Sequence, residues 1–299
     1  MQLAFVVNRS AGSFRHLPLD RTVEAVAAAL ADAGHQVRTE VVGRRDLAAA
    51  LSALAARTDV DAVVVGGGDG TVLTAILAGL GRDRPLGLVP LGTLNLLARD
   101  LGLPLDPVEA ARALAGAEPV AIDLAEVNGH PFAIWASLGM HPWMVRRRDH
   151  LQRDGMSKRP AMLVAALRAF RRYPVVKVQL SLQGAAMAVA TPLLVVTNNA
   201  WKEGAPPLRQ ALDKGELEVH IARATSRLAL LWLVLKALLG RWKTTQLLGT
   251  IRADEVRVTT RSRRAMVSLD GEVTVLRSPL VFRLRPKALL VLRPPGGSR

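Results

Sequence analysis

The chain contains no cysteine. Disulfide frameworks and thiolate metal sites are therefore excluded, and the absence fits a reducing compartment. Several functional signatures are missing as well. No Gly-Lys-Ser/Thr tripeptide occurs, so there is no P-loop. The dinucleotide pattern G-x-G-x-x-G/A fails twice: begun at Gly66 it meets Thr71, and begun at Gly68 it meets Leu73. The six histidines form no H-E-x-x-H or other close ligand spacing, and no G-x-S-x-G is present. The histidines accordingly read as structural or solvent-facing. Long apolar runs are also scarce. The longest, Leu228 to Leu239, is interrupted by Lys236 and is too short to span a bilayer. The N-terminus lacks a basic region followed by a long apolar stretch, so no signal peptide is expected.

What is present begins with size and charge. The 299 residues are enough to bury a large core and to form two domains. Half are apolar, and the mean hydropathy of +0.22 is high for a chain without a spanning segment. The net charge of +15 is unevenly spread. Residues 1–125 hold 11 Arg, no Lys and 14 Asp or Glu, a balance of −3; residues 126–299 hold 29 Lys or Arg and 11 Asp or Glu, a balance of +18. All five tryptophans (Trp135, Trp143, Trp201, Trp232 and Trp242) lie in the basic part. A basic, Trp-bearing, apolar-rich half points to an anionic surface, for which membrane and nucleic acid both qualify, or to a solvated basic face.

The first part alternates strand and helix. Residues 3–7, 36–41, 62–65 and 86–89 read as strands, and 19–32, 45–57 and 71–80 as helices. This order predicts a parallel sheet with right-handed crossovers, whose ligands sit beyond the carboxyl ends of the strands. Three loops follow predicted strands and should converge on one rim: Asn8-Arg9-Ser10-Ala11-Gly12, Gly66-Gly67-Gly68-Asp69-Gly70-Thr71, and Pro90-Leu91-Gly92-Thr93-Leu94-Asn95. A glycine turn between a buried strand and a helix start exposes backbone N–H groups to a ligand, and the helix dipole favours an anion such as phosphate. A ligand-free glycine turn is the bland alternative.

After about residue 120 short strand-like runs dominate: 120–127, 132–137, 175–182, 186–190, 193–197, 217–222, 256–260, 265–269, 273–276, 280–284 and 289–292. Helical patterns appear only near 160–171 and 225–240. The pattern predicts a mostly antiparallel β domain, a sandwich. Asp270-Gly271 has the signature of a hairpin turn. Two apolar stretches invite an interfacial reading: Phe132, Ile134, Trp135, Leu138, Met140, Trp143 and Met144 beside Arg146-Arg147-Arg148, and Leu228 to Leu239 between Arg227 and Arg241. Such runs more often belong to a core, and Leu228 to Leu239 is expected there.

With these motifs in order, the chain resembles the diacylglycerol kinase catalytic-domain family, the YegS-type bacterial lipid kinases related to sphingosine kinases. Four ordered motifs carry the resemblance across nearly the whole chain: Asn8-x-Ser10-x-Gly12; Gly67-Gly68-Asp69-Gly70-Thr71; Pro90-Leu91-Gly92-Thr93-x-Asn95-x-x-Ala98-Arg99; and Asp270-Gly271-Glu272. The resemblance implies an α/β nucleotide-binding domain like that of NAD kinases and phosphofructokinases (residues 1–125, joined by 286–299) and a β-sandwich lipid-binding domain (126–285). It implies ATP and Mg²⁺ as cofactors, with the nucleotide at Asn8, Ser10, Gly12, Gly66, Gly67, Gly68, Asp69, Gly70, Thr71, Gly92, Thr93 and Asn95. The hydroxyls of Thr71 and Thr93 and the side chains of Asn8 and Asn95 would bond phosphate. Asp69 would meet the Mg²⁺ carried by ATP or the acceptor hydroxyl, or else cap the helix that follows it. Glu272 is the expected base, supported by Asp270. Arg99 is expected either to neutralise phosphate or to form a surface salt bridge. The implied partners are ATP, a lipid substrate and an anionic membrane surface, at the cytoplasmic face, without nucleic acid; a homodimer stays open. A soluble NAD-kinase-like enzyme and a non-catalytic binding protein are the alternatives. The chain departs from the family's pattern at Leu96, where many relatives have Asp, and at Lys214, which stands where a structural-metal loop would carry Asp. An ammonium there is expected to replace the cation by pairing with nearby carboxylates or carbonyls.

Overall fold

A computed structural model of the chain describes residues 1–182, 185–223 and 226–295. The chain divides into two compact units: residues 1–124, 211–213 and 286–299 in the first, and 125–210 and 214–285 in the second. Residues 296–299, the end of the expected return to the first domain, lie outside the described residues, as does Thr225.

The first unit is an α/β layer structure. Its strands are β1 (Gln2–Asn8), β2 (Gln36–Val42), β3 (Ala62–Gly67) and β4 (Leu86–Pro90). Its helices are α1 (Leu19–Ala31), α2 (Leu47–Ala55), α3 (Asp69–Leu77), α4 (Leu96–Asp100) and α5 (Pro107–Ala115). The strands run parallel in the order β2-β1-β3-β4. Every residue of β3 and β4 is buried, as central parallel strands covered on both faces must be. Helix α1 packs on α5 and α2 on α3, which supplies the two covering layers. Arg99 was read as helical, which α4 bears out, but α5 was not expected. Yet α5 carries a plain start signal: Asp106 caps it by accepting from the N–H groups of Val108 and Glu109, and Pro107 stands at its first position.

Strand β5 (Glu118–Val127) leads out of the first unit. Within that unit, Asp123 binds residues 211–213 by donating its N–H to the Leu212 carbonyl at 2.8 Å, and its Oδ1 accepts from the Lys287 N–H at 2.9 Å.

The second unit is mostly antiparallel, as expected. Its elements are β6 (His130–Phe132), β7 (Trp135–Gly139), α6 (Met140–Arg153), α7 (Lys158–Arg172), β8 (Val176–Leu182), β9 (Ala185–Thr191), β10 (Leu193–Asn198), β11 (Leu217–Ala222), α8 (Arg227–Leu238), β12 (Leu248–Ala253), β13 (Glu255–Thr260), β14 (Arg264–Leu269), β15 (Glu272–Arg277) and β16 (Leu280–Arg293). One sheet has the order β12-β11-β10-β7-β14-β15; the second runs from the start of β16 through β13 and β8 to β9.

Four differences from the sequence reading have local causes. The expected strand 132–137 is two strands, because the N–H groups of Ala133 and Ile134 turn away from the ladder to bond the Asp270 carboxylate. Helix α6 escaped notice because its sequence, MHPWMVRRRDHLQR, is polar and carries a proline. The expected strands 280–284 and 289–292 are one 14-residue strand, β16, whose end returns to the first unit with Val291 opposite Leu86 on parallel β4. Finally, Leu228 to Leu239 is not core. Only Leu230 and Leu233 of α8 are buried, and the rest of its large apolar side chains face solvent.

Candidate functional site

In the first unit the carboxyl ends of β1, β3 and β4 share one edge of the parallel sheet, and the three motif loops leave from that edge. They are laced together. The Leu91 N–H donates to the Gly67 carbonyl at 2.9 Å, and the Ser13 N–H to the Leu91 carbonyl at 3.0 Å. Asn8 Nδ2 donates to Thr71 Oγ1 at 3.0 Å, and Asn8 Oδ1 accepts from the Ser10 N–H at 3.0 Å, an Asx turn. Asn95 takes the left-handed conformation (φ 50°), accepting from the Gly92 N–H at 2.8 Å and returning Nδ2 to the Gly92 carbonyl at 3.1 Å. The side chains of Asn8, Thr71 and Asn95, read from sequence as phosphate contacts, are thus engaged in building the loops.

The glycines have separable reasons. A Cβ on Gly92 would lie 2.4 Å from Gly68 Cα, and one on Gly68 would lie 2.9 Å from Gly92 Cα, so the second and third loops touch backbone to backbone. A Cβ on Gly67 would strike the Thr71 side chain at 2.3 Å. Gly66 lies inside buried β3, where Leu91, Phe5 and Val7 leave 3.1–3.3 Å for a Cβ, so packing alone accounts for it. At Gly12 a Cβ would meet only Thr93 Oγ1, at 3.5 Å. Ser10, Gly12 and Thr93 are exposed, and Gly68, Asp69 and Gly70 half-buried. This leaves glycine backbone and hydroxyls facing outward over the N-terminus of α3, where the N–H groups of Asp69 and Gly70 have no acceptor inside the helix and that of Thr71 donates to the Gly68 carbonyl at 2.8 Å.

Asp69 begins α3 but does not cap it. Its Oδ1 accepts from the Leu96 N–H at 2.7 Å, at the start of α4. The capping alternative therefore holds for a different helix from the one sequence suggested. Burial pushes the Asp69 carboxyl above its ordinary value, against the opposing pull of the amides of Leu96, Leu97 and Asn95. Arg99 forms no salt bridge among the described residues; its Nε donates to the Leu94 carbonyl at 2.9 Å.

In the second unit Asp270 and Gly271 form the two-residue turn between β14 and β15, with φ of 46° and 88° and Leu269 paired to Glu272. Positive φ at both central residues is the type I′ pattern, which suits Asp-Gly. The buried Asp270 carboxylate accepts three backbone N–H groups: Ala133 on Oδ2 at 2.7 Å, and Ile134 and Trp135 on Oδ1 at 2.9 Å each. Glu272 is exposed and makes no hydrogen bond or ion pair among the described residues. Two carboxylates that sequence could not tell apart thus have different surroundings: one is committed to the backbone, the other is available.

Behind this hairpin the same sheet carries a polar and aromatic face that sequence did not reveal. Trp201 stacks on His220 at 5.5 Å and meets Trp135 and Trp242 at 5.2 and 6.0 Å. Buried Glu218 lies 3.1 Å from His220 Nε2. Desolvation raises the Glu218 carboxyl, but His220, the Trp201 N–H and Lys243 outweigh it and hold the group at about 2. His141 Nδ1 lies 2.8 Å from Ser137 Oγ, and burial, then Arg148, lowers the imidazole to about 4, so it is neutral near pH 7. The signal for this face was the in-register alternation of Glu218 and His220 on β11, opposite Arg252 and Thr250 on β12.

Lys214 does not pair. Its side chain is exposed without an ion pair among the described residues, and only its N–H is used, toward Asn199 Oδ1. Arg252 supplies the positive charge beside this acidic strand, at 3.6 Å from Glu216 and 3.4 Å from Glu218. Of the first apolar stretch, Phe132, Ile134 and Leu138 are buried, so they form core rather than an interface. Among the described residues no cluster of three or more His, Asp or Glu side chains is arranged to hold a metal.

Comparison with known proteins agrees in both units. Residues 2–127 match the family model described as diacylglycerol kinase catalytic domain, and residues 137–293 match the YegS C-terminal NAD kinase beta sandwich-like domain. A protein named diacylglycerol kinase from Mycobacterium tuberculosis (strain CDC 1551 / Oshkosh) is 31% identical over 257 residues, spanning 83% of this chain and 81% of the relative. A Pseudomonas aeruginosa protein named "Probable lipid kinase YegS-like" is 38% identical over 120 residues, 39% of each chain. A crystal structure titled as a diacylglycerol kinase from Bacillus anthracis str. Sterne superposes with a TM-score of 0.72 at 19% identity, covering 98% of this chain and 97% of that one, a likeness of fold.

Proposed function

The chain belongs to the diacylglycerol kinase catalytic-domain family and is a lipid kinase; we propose that it transfers the γ-phosphoryl group of ATP to the hydroxyl of diacylglycerol or a closely related lipid, at a membrane surface. The observation that carries the reading is the division of labour between the two acidic motifs and the glycine rim: an uncommitted carboxylate at Glu272, an anchored one at Asp270, and an anion-favouring helix start at α3.

Phosphoryl transfer demands positioning and charge neutralisation more than covalent chemistry. The backbone from Gly67 to Thr71 cradles the phosphates, with Ser10, Gly12 and Thr93 facing outward beside it. The contact between Gly68 and Gly92 keeps the two loops free of side chains, which lets phosphate oxygens approach the N–H groups. Mg²⁺ arrives with the nucleotide. Asp69 is the rim carboxylate that would hold it, and the ion would supply neutralisation of phosphate charge. Glu272 accepts the proton of the lipid hydroxyl as that oxygen attacks phosphorus. Asp270 does not move a proton; three N–H bonds fix the strand break at Ala133 and Ile134 and so hold the hairpin that presents Glu272.

The test is incubation with ATP and Mg²⁺ over a panel of diacylglycerols, long-chain bases, polyprenols, NAD and sugar phosphates, read by mass spectrometry. Phosphatidic acid or another phospholipid as product supports the reading. A phosphorylated soluble acceptor, with no lipid product, replaces it with an NAD-kinase-like activity.

A further inference from the structure

Helix α8 is apolar on the side that faces the protein and on the side that does not. Leu230 and Leu233 point inward and are buried. Outward stand Leu228 (78% exposed), Leu231, Trp232 (52%), Val234, Leu235, Leu238 (71%) and Leu239. A helix lying on a water-soluble domain normally turns a charged face outward, and a contiguous apolar surface of this kind marks an interaction site. The helix is well made: Ser226 caps it by accepting the Ala229 N–H at 3.2 Å. It has 12 residues, and no helix among the described residues is long and apolar enough to cross a membrane.

The charges around it choose the partner. From Val219 to Ala253 the sequence has six Lys or Arg and not one Asp or Glu. From Gly155 to Lys202, the stretch that contains α7, it has seven Lys or Arg and again no acid. The two helices are tied where Arg227 Nη2 donates to the Arg171 carbonyl at 2.7 Å, joining the start of α8 to the end of α7. Leu163 and Leu167, one turn apart on α7, are also exposed. Lys236 Nζ lies over the Trp232 ring, 5.4 Å from its centroid, an aromatic body with a cation on its face. Leucines with one tryptophan, set among arginines and lysines in two acid-free stretches, with Glu203 just beyond them accepting the Lys243 N–H at 2.7 Å, match an interface of acyl chains below and anionic phosphates above. A protein partner or a second copy of this chain would have to bring an apolar face with acids around it; the basic, acid-free stretches of this chain offer no such complement to themselves.

We infer that α8, flanked by the exposed leucines of α7, is the element that seats the enzyme on anionic bilayers, lying in the plane of the membrane with Leu228, Leu231, Trp232, Leu235 and Leu238 among the acyl chains. The inference deepens the lipid-kinase reading and rests on it for its biological sense, but its test does not depend on catalysis.

The full chain is mixed with phosphatidylcholine vesicles containing 0 or 40% phosphatidylglycerol at low salt, and sedimentation and tryptophan emission are followed. The wild type sediments with the anionic vesicles, and its emission shifts to the blue. Leu228→Gln/Trp232→Gln/Leu238→Gln weakens vesicle binding about tenfold or more, as loss of three buried apolar side chains requires. Leu105→Gln, an exposed leucine elsewhere, leaves it unchanged. Trp232→Phe keeps binding and loses most of the blue shift, a readout that a merely structural role would not move. Each variant is checked by its melting temperature and by activity on a short-chain diacylglycerol dispersed as monomers, both of which stay at the wild-type level. Unchanged vesicle binding by the triple variant overturns the assignment. So does a wild type that ignores vesicles and is a dimer which the triple variant converts to monomer. Vesicle binding lost in the triple variant, from a protein that phosphorylates no lipid, upholds the docking surface and removes the kinase reading instead.

Discussion

Asp270 and Trp135 are joined in both directions: the Asp270 N–H donates to the Trp135 carbonyl at 2.9 Å, and Asp270 Oδ1 accepts from the Trp135 N–H at 2.9 Å. This exchange ties the acidic turn to the start of β7. It gives Asp270 a structural role that its neighbour Glu272 lacks.

Stability and activity should therefore separate between the two. Asp270→Ala leaves three buried N–H groups without an acceptor, and a loss of about 3 kcal/mol or more is expected from unpaired buried donors. Glu272→Ala removes an exposed side chain with no partner, so its stability should stay within about 0.5 kcal/mol of wild type. Chemical denaturation measures both.

The two loop glycines should be intolerant where a third is not. Gly92→Ala places a Cβ 2.4 Å from Gly68 Cα, backbone that cannot swing aside. ATP binding, followed by calorimetry, is expected to fall at least about tenfold, since misplacing a phosphate cradle by a fraction of an ångström is costly. Gly12→Ala adds a methyl at ordinary contact distance from Thr93 Oγ1 and should bind ATP nearly as well.

Asp69 has two separable duties. Asp69→Asn keeps an oxygen for the Leu96 N–H and loses the charge; Asp69→Ala loses both. The Ala variant should be less stable by about 1 kcal/mol, the worth of a helix cap, and the Asn variant close to wild type. Both should lose phosphoryl transfer. Melting curves and turnover read the two effects independently.

Acid stability should carry the mark of Glu218. Its folded value of about 2 lies below the ordinary 4.5, so the stabilisation it gives is complete above the ordinary value and is lost as pH falls toward 2. Thermal melting between pH 5 and pH 2.5 should drop more steeply for the wild type than for Glu218→Gln, whose side chain does not titrate.

Much of this was legible in the sequence, for reasons that are local. The fully apolar run Ala62–Val65 followed by glycines could be little else than a central parallel strand and its turn. The loop order along a parallel sheet then forced the three motifs to one rim. The acidic turn was visible in Asp270-Gly271. What the sequence hid were choices made by tertiary contacts. Nothing local says that the Asn95 side chain closes on Gly92, that Asp69 reaches to α4, or that Asp270 draws the amides of Ala133 and Ile134 out of a strand. The run Leu228–Leu239 reads as core because hydropathy measures the side chains and not what covers them. Lys214 was expected to compensate because it stands where the structural-metal loop would carry Asp; the cation beside Glu216 and Glu218 is Arg252, opposite Glu218 across the strand pair β11–β12.

The central claim is that Glu272 is the base for transfer to a lipid hydroxyl. The most direct measurement is single-turnover transfer of label from γ-labelled ATP to diacylglycerol in mixed micelles, comparing wild type with Glu272→Gln under saturating ATP and Mg²⁺. The account predicts labelled phosphatidic acid from the wild type, and a rate at least about 100-fold lower in the variant, the usual worth of a general base, with ATP affinity and melting temperature unchanged. A variant that transfers label at the wild-type rate would contradict it.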